Sequence, residues 1–147
     1  MKVPFPQERQ SVQPESSAFV ADPDLIRALM TRATPISCLS PRVLFNQDEP
    51  AVGAYILHQG SATLTMKAHN GKVIFSTPVV SGSLLGLPAV VSNHPYSLTA
   101  SASAGAEISF VSRDDTLALM QANPLLSLKM LQVLAAEVRT AREALSR

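Results

Sequence analysis

Apolar and polar positions follow three regimes along the 147 residues. Residues 1–20 carry Pro4, Pro6 and Pro14 among polar side chains and show no period, as expected of a loose N-terminal arm. Asp22-Pro23-Asp24 then has the form of a helix start, with an aspartate cap and proline at the first helical position. Leu25, Ile26, Leu29 and Met30 give the helix one apolar stripe, and Pro35 keeps it short. From Ile36 to Ser112 the period shortens. All six glycines fall there and punctuate runs rich in Val, Ile, Leu, Phe and Thr. Strands are predicted over residues 42–45, 54–58, 62–68, 72–79, 97–102 and 107–112. Asn70-Gly71 predicts a two-residue hairpin turn joining Thr63–Lys67 to Val73–Thr77. Many short strands with regular turns point to a mainly β sandwich or jelly-roll.

After Ser112 the helical period returns. Ser112-Arg113-Asp114-Asp115 offers a hydroxyl cap and first-turn carboxylates, and Asn123-Pro124 restarts a long helix by similar logic. In that helix Leu131, Leu134, Val138, Ala141 and Leu145 step by alternating threes and fours, an a/d seam. Gln132, Glu137, Arg139, Arg142 and Glu143 lie off it. Such a seam either packs on its own barrel or pairs with a second copy; the charged last turns favour a partner helix. The expected layout is an arm over 1–20 and one domain over 21–147, with strands over about 36–112 and C-terminal helices over about 113–146.

Composition narrows the chemistry. Twelve Lys and Arg balance eleven Asp and Glu, a formal charge of +1, which argues against electrostatic binding to nucleic acid or an anionic membrane. The lone Cys38 excludes an internal disulfide, a zinc–thiolate cluster and an iron–sulfur site, and is expected to be buried and inert. No apolar run reaches the roughly 18–20 residues of a membrane span, and Met1 to Phe5 lacks a signal-peptide core. A cytoplasmic location is the expectation. His58, His69 and His94 sit on separate segments, so neither a metal-binding cupin nor any other metal site is expected. No Gly-x-Ser-x-Gly elbow occurs, and Asp114 and Asp115 have a sufficient role as cap carboxylates, so no enzyme is expected.

The order of parts resembles a cyclic nucleotide-binding domain of the Crp/Fnr type over about residues 22–147. Val43-Leu44-Phe45-Asn46-Gln47-Asp48-Glu49-Pro50-Ala51 is similar to the family's opening strand and turn. Ala54-Tyr55-Ile56-Leu57-His58-Gln59-Gly60 is similar to its next strand. Gly82-Ser83-Leu84-Leu85-Gly86-Leu87-Pro88-Ala89-Val90-Val91 is similar to the start of the phosphate-binding cassette, and Ile108-Ser109-Phe110-Val111-Ser112 to the last strand. The resemblance implies a double-stranded β-helix, or β-roll, with a short N-terminal and a long C-terminal helix. It also implies a ligand site at Leu85, Gly86, Leu87, Pro88, Ala89, Tyr96 and Ser97, and a homodimer through the C-terminal seam.

The cassette departs from the family where charge matters. Members that bind cyclic AMP or cyclic GMP have Gly-Glu-x-Ala and then Arg followed by Ser or Thr. The Glu takes the ribose hydroxyl and the Arg pairs with the cyclic phosphate. Gly86 and Ala89 match, but Leu87 stands at the Glu position and Tyr96 at the Arg position. No Asp, Glu, Lys or Arg occurs between Val73 and Ala106. Hydrogen bonds to a charged group contribute about 1.5–3 kcal/mol each, so losing both costs roughly 3–6 kcal/mol, or about two to four decades of affinity. Pro88 removes a further amide from the short helix.

The expectation is therefore a non-catalytic sensor or regulatory module without a cofactor, and not an ordinary cyclic nucleotide binder. Its pocket is either re-dressed for an apolar or weakly polar ligand oriented by Tyr96, or filled by its own side chains. The alternatives are a ligand-free dimerisation scaffold and, more remotely, a haem sensor using a histidine. The family's transcription factors carry a helix-turn-helix domain after the long helix. The sequence ends at Arg147, and residues 113–147 hold five basic and four acidic residues, so direct DNA binding is not expected.

Overall fold

The computed structural model describes residues 19–145. Residues 1–18 of the arm expected over 1–20 lie outside them, as do the side chains of Ala141 and Leu145. Phe19, expected in the arm, is instead buried, and Val20 bridges Ser83.

Helix α1 (Pro23–Met30) starts where Asp22 caps it: its Oδ1 accepts from the Asp24 amide at 2.8 Å and the Leu25 amide at 3.4 Å. Eight strands follow: β1 (Thr34–Ile36), β2 (Arg42–Phe45), β3 (Gly53–Gln59), β4 (Ala62–Lys67), β5 (Val73–Val79), β6 (Leu84–Leu85), β7 (Thr99–Ala102) and β8 (Glu107–Ser112). The short helix α2 (Leu87–Ser92) lies between β6 and β7. Two helices close the chain, α3 (Arg113–Ala122) and α4 (Pro124–Leu145). Ser112 caps α3, its Oγ accepting from the Asp115 amide at 3.1 Å. The Asn123 side chain accepts from the Leu125 amide at 3.1 Å and caps α4.

The strands form two antiparallel four-stranded sheets, ordered β1-β8-β3-β6 and β2-β7-β4-β5. Strands β1 and β6 escape sequence periodicity because they are three and two residues long. Pro35 is tolerated in β1 because that strand is a sheet edge. Cys38 follows β1 and is buried, as expected. Strand β7 begins at Thr99, two residues later than expected, because the backbone at Tyr96 is bonded to the Asp48 amide (2.8 Å) and the Glu49 carbonyl (3.0 Å) instead of a neighbouring strand.

The β4–β5 turn also differs from expectation. The Ala68 amide bonds to the Lys72 carbonyl at 2.8 Å across a three-residue loop, and the positive φ of 85° falls on Gly71 alone. A bulge between Met66 and Lys67 then shifts the pairing, so that Thr63 faces Pro78.

Two apolar clusters fill the molecule. Between the sheets lie Phe45, Tyr55, Leu57, Leu64, Phe75, Leu85, Tyr96 and Ile108. Under the helices lie Leu25, Leu29, Ala54, Ile56, Leu84, Leu87, Val90, Leu126, Met130 and Val133. Strand β3 serves both, because alternate side chains point to opposite faces. Helix α4 docks through Leu126, Met130 and Val133, whereas Leu131 and Val138 of the expected seam are 55% and 54% exposed and Leu134 is partly buried. Lys129 Nζ, 2.9 Å from Asp22 Oδ2, ties α4 to the cap of α1 and holds that carboxyl below its ordinary pKa.

Candidate functional site

The site builds outward from the β6–α2 junction. Leu85 points between the sheets and Leu87 points under the helices. Gly86 between them adopts a φ of 83°, and a Cβ there would sit 3.0 Å from the Tyr96 ring, so the turn requires glycine twice over. Leu87 is fully buried against the helical cluster, away from the interior of the roll.

Tyr96 occupies that interior. It is 2% exposed and stacks on Phe45 with ring centroids 4.0 Å apart. Its hydroxyl donates to the Gly53 carbonyl at 2.6 Å and accepts from the Val52 and Gly53 amides at 3.2 Å each. One donor and two lone pairs are all a phenol has, so the group has no capacity left to orient a ligand. Burial pushes its pKa up, and the Gly53 and Val52 hydrogen bonds oppose that.

The space left beside the cassette is about 10 Å³, lined by Gly86, Pro88, Ala89, Tyr96 and Ser97 among others. That scarcely admits one water. A second hollow of about 110 Å³ lies between the roll and α4, lined by Phe19, Met66, Phe75 and Val138, and shares Pro88, Ser97, Leu98 and Glu137 with the first.

Glu137 is the residue that sequence reasoning missed, having set it only among the polar residues off the seam of the last helix. It falls four residues after Val133 and seven after Met130, on the docked face. Its stem is partly exposed, but Oε2 has no solvent contact and no hydrogen-bond partner. Burial raises the carboxyl from the ordinary 4.5 to about 8.

The histidines are dispersed. His58 Nε2 lies 2.8 Å from Ser109 Oγ, His69 lies in the β4–β5 loop, and His94 is exposed. Among the described residues no cluster of His, Cys, Asp and Glu could hold a metal, and no helix is long and apolar enough to cross a membrane.

Comparison with known proteins places this geometry. The family model of the cyclic nucleotide-binding domain matches residues 39–123. No curated protein matches the chain. Among solved structures, the Thermus thermophilus catabolite activator protein superposes with a TM-score of 0.72 at 21% identity, over 85% of this chain and 59% of that one. The chain thus spans under two thirds of that relative's length. The N-terminal domain of a transcriptional regulator from Streptomyces coelicolor gives 0.61 at 16% identity, covering 91% of this chain and 96% of that one. The sensor domain of the transcriptional regulator DNR from Pseudomonas aeruginosa gives 0.60 at 21%, covering 83% and 82%. These likenesses show the fold, a mainly β roll with flanking helices. With the family model spanning more than half of its length, the chain belongs to the cyclic nucleotide-binding domain family.

Proposed function

We propose that the chain is a non-catalytic sensor or regulatory module that does not take cyclic AMP or cyclic GMP in the family's manner. One observation carries this reading: the hydroxyl of Tyr96, the residue that the sequence resemblance matches to the family's arginine, is saturated by the backbone at Val52 and Gly53. Leu87, at the Glu position, is turned under the helices, so neither residue offers a contact to a cyclic phosphodiester. The ligand of such a module is uncharged or weakly polar, or of the opposite sign to a nucleotide. It enters the hollow between roll and α4, and by filling it changes how α4 docks.

The output of that change is a second copy of the chain. Leu131 and Val138 stay exposed on α4 while Met130 and Val133 are buried, which supports pairing through the seam of Leu131, Leu134, Val138, Ala141 and Leu145. The second reading is a dimerising scaffold without a ligand, favoured by the 10 Å³ left beside the cassette.

Thermal unfolding separates the two. A ligand at 100 times its dissociation constant adds about 2.7 kcal/mol of stability. The sensor reading expects a shift with small apolar, weakly polar or cationic compounds and none with cyclic AMP or cyclic GMP. No shift with any of them leaves the scaffold.

A further inference from the structure

We infer that the hollow between the roll and α4 is a site for a small organic cation, a protonated amine on a short apolar stem, with the Glu137 carboxylate as its counter-ion. This rests on the sensor reading above and names its ligand class.

Four observations converge there. Glu137 is among the residues lining both hollows, and its Oε2 is shielded from water and unpartnered. Buried polar atoms without a partner are rare, because each forfeits its hydration for nothing. The walls are apolar and partly aromatic, supplied by Phe19, Met66, Phe75 and Leu98. Aromatic faces are favourable neighbours for an ammonium. The strands and cassette from Val73 to Ala106 bring no cation to balance the carboxylate. Tyr96 is the other titratable side chain lining the two hollows among the described residues, and its hydroxyl is engaged elsewhere. Finally, the volume of about 110 Å³ is somewhat smaller than the roughly 150 Å³ of an apolar cavity that accepts benzene, which suits a stem of a few carbons.

The same arrangement disfavours anions, which gain at most one hydrogen bond from the protonated carboxyl. A phosphate or carboxylate entering the hollow meets a carboxyl, apolar walls and, among the described residues, no basic side chain. With the site empty, burial keeps Glu137 protonated at neutral pH. An incoming ammonium stabilises the ionised form, so the carboxyl proton leaves to solvent as the ion pair forms.

The test is a calorimetric titration of the full chain at pH 7 with butylammonium, butanol and butyrate, in two buffers of different ionisation enthalpy. The expected result is about tenfold tighter binding of butylammonium than of butanol, as a charge-assisted hydrogen bond supplies, and none of butyrate. Its heat should differ between buffers by the release of close to one proton. Glu137→Gln should bind both neutral and charged probes alike and lose the buffer dependence. Glu137→Asp, which withdraws the charge by one methylene, should regain the preference with the longer pentylammonium. Equal binding of butanol and butylammonium to the wild type would overturn this inference and leave the sensor reading intact. Binding of neither, together with no thermal shift from any apolar compound, would remove both.

Discussion

The Tyr96 hydroxyl both donates to the Gly53 carbonyl, at 2.6 Å, and accepts from the Gly53 amide, at 3.2 Å. The exchange joins the segment before β7 to the first residue of β3 and fills the interior of the roll. Tyr96→Phe keeps the ring on Phe45 but strands the buried Gly53 groups. The expected cost is about 1–3 kcal/mol, read as a lower urea midpoint with an unchanged m-value.

Leu87 carries a second prediction. Because its side chain packs with Leu84, Val90 and Met130, Leu87→Ala should cost about 2–5 kcal/mol. Leu87→Glu should cost more, by placing an unpaired carboxylate among those residues. Combining it with Tyr96→Arg should yield a less stable protein by circular dichroism and denaturant melting, and still no uptake of cyclic AMP.

Glu137 should leave a signature in stability against pH. Its folded pKa of about 8 is raised above the ordinary 4.5, so the folded state binds the proton more tightly than the unfolded chain. That contribution is complete below about pH 4.5 and is lost as pH rises toward 8, with a slope of up to about 1.4 kcal/mol per pH unit. Glu137→Gln should remove this slope, so urea midpoints of wild type and variant should diverge steadily across that window in the variant's favour.

The seam can be tested at a residue that does not hold α4 in place. Leu131 is largely exposed, whereas Leu134 also packs on the helical cluster. Leu131→Asp should therefore leave the melting curve of each protomer nearly unchanged while converting a sedimenting dimer into a monomer. A monomeric wild type would assign the exposed stripe to some other partner.

What the sequence disclosed was local. Asp22-Pro23, Ser112 and Asn123-Pro124 each mark a helix start because a cap is satisfied within three residues, and the structure bears these out. The longer strands were legible from alternation, but β1 and β6 were not, since pairing with β8 and β3 makes them strands rather than any period of their own. The hairpin was legible and its loop length was not, because the bulge at Met66 depends on the partner strand.

The segment of the proposed site could be placed along the sequence, but the direction of its side chains could not. Leu87 and Tyr96 could be matched to the cassette, but spacing alone does not say that one turns under the helices and the other turns inward to the Gly53 backbone. Glu137 was invisible for a related reason. A helix with apolar residues nearly all round offers several stripes, and only docking selects Leu126, Met130 and Val133, carrying Glu137 inward with them.

The proposal that the roll does not take a cyclic nucleotide in the family's manner is tested most directly by calorimetric titration of the full chain with cyclic AMP and cyclic GMP at moderate salt. The expected result is no saturable heat at concentrations up to roughly millimolar, about −4 kcal/mol of binding free energy. Saturation by either nucleotide at micromolar concentration would mean that the Tyr96 ring yields its place to a phosphodiester, and would contradict it.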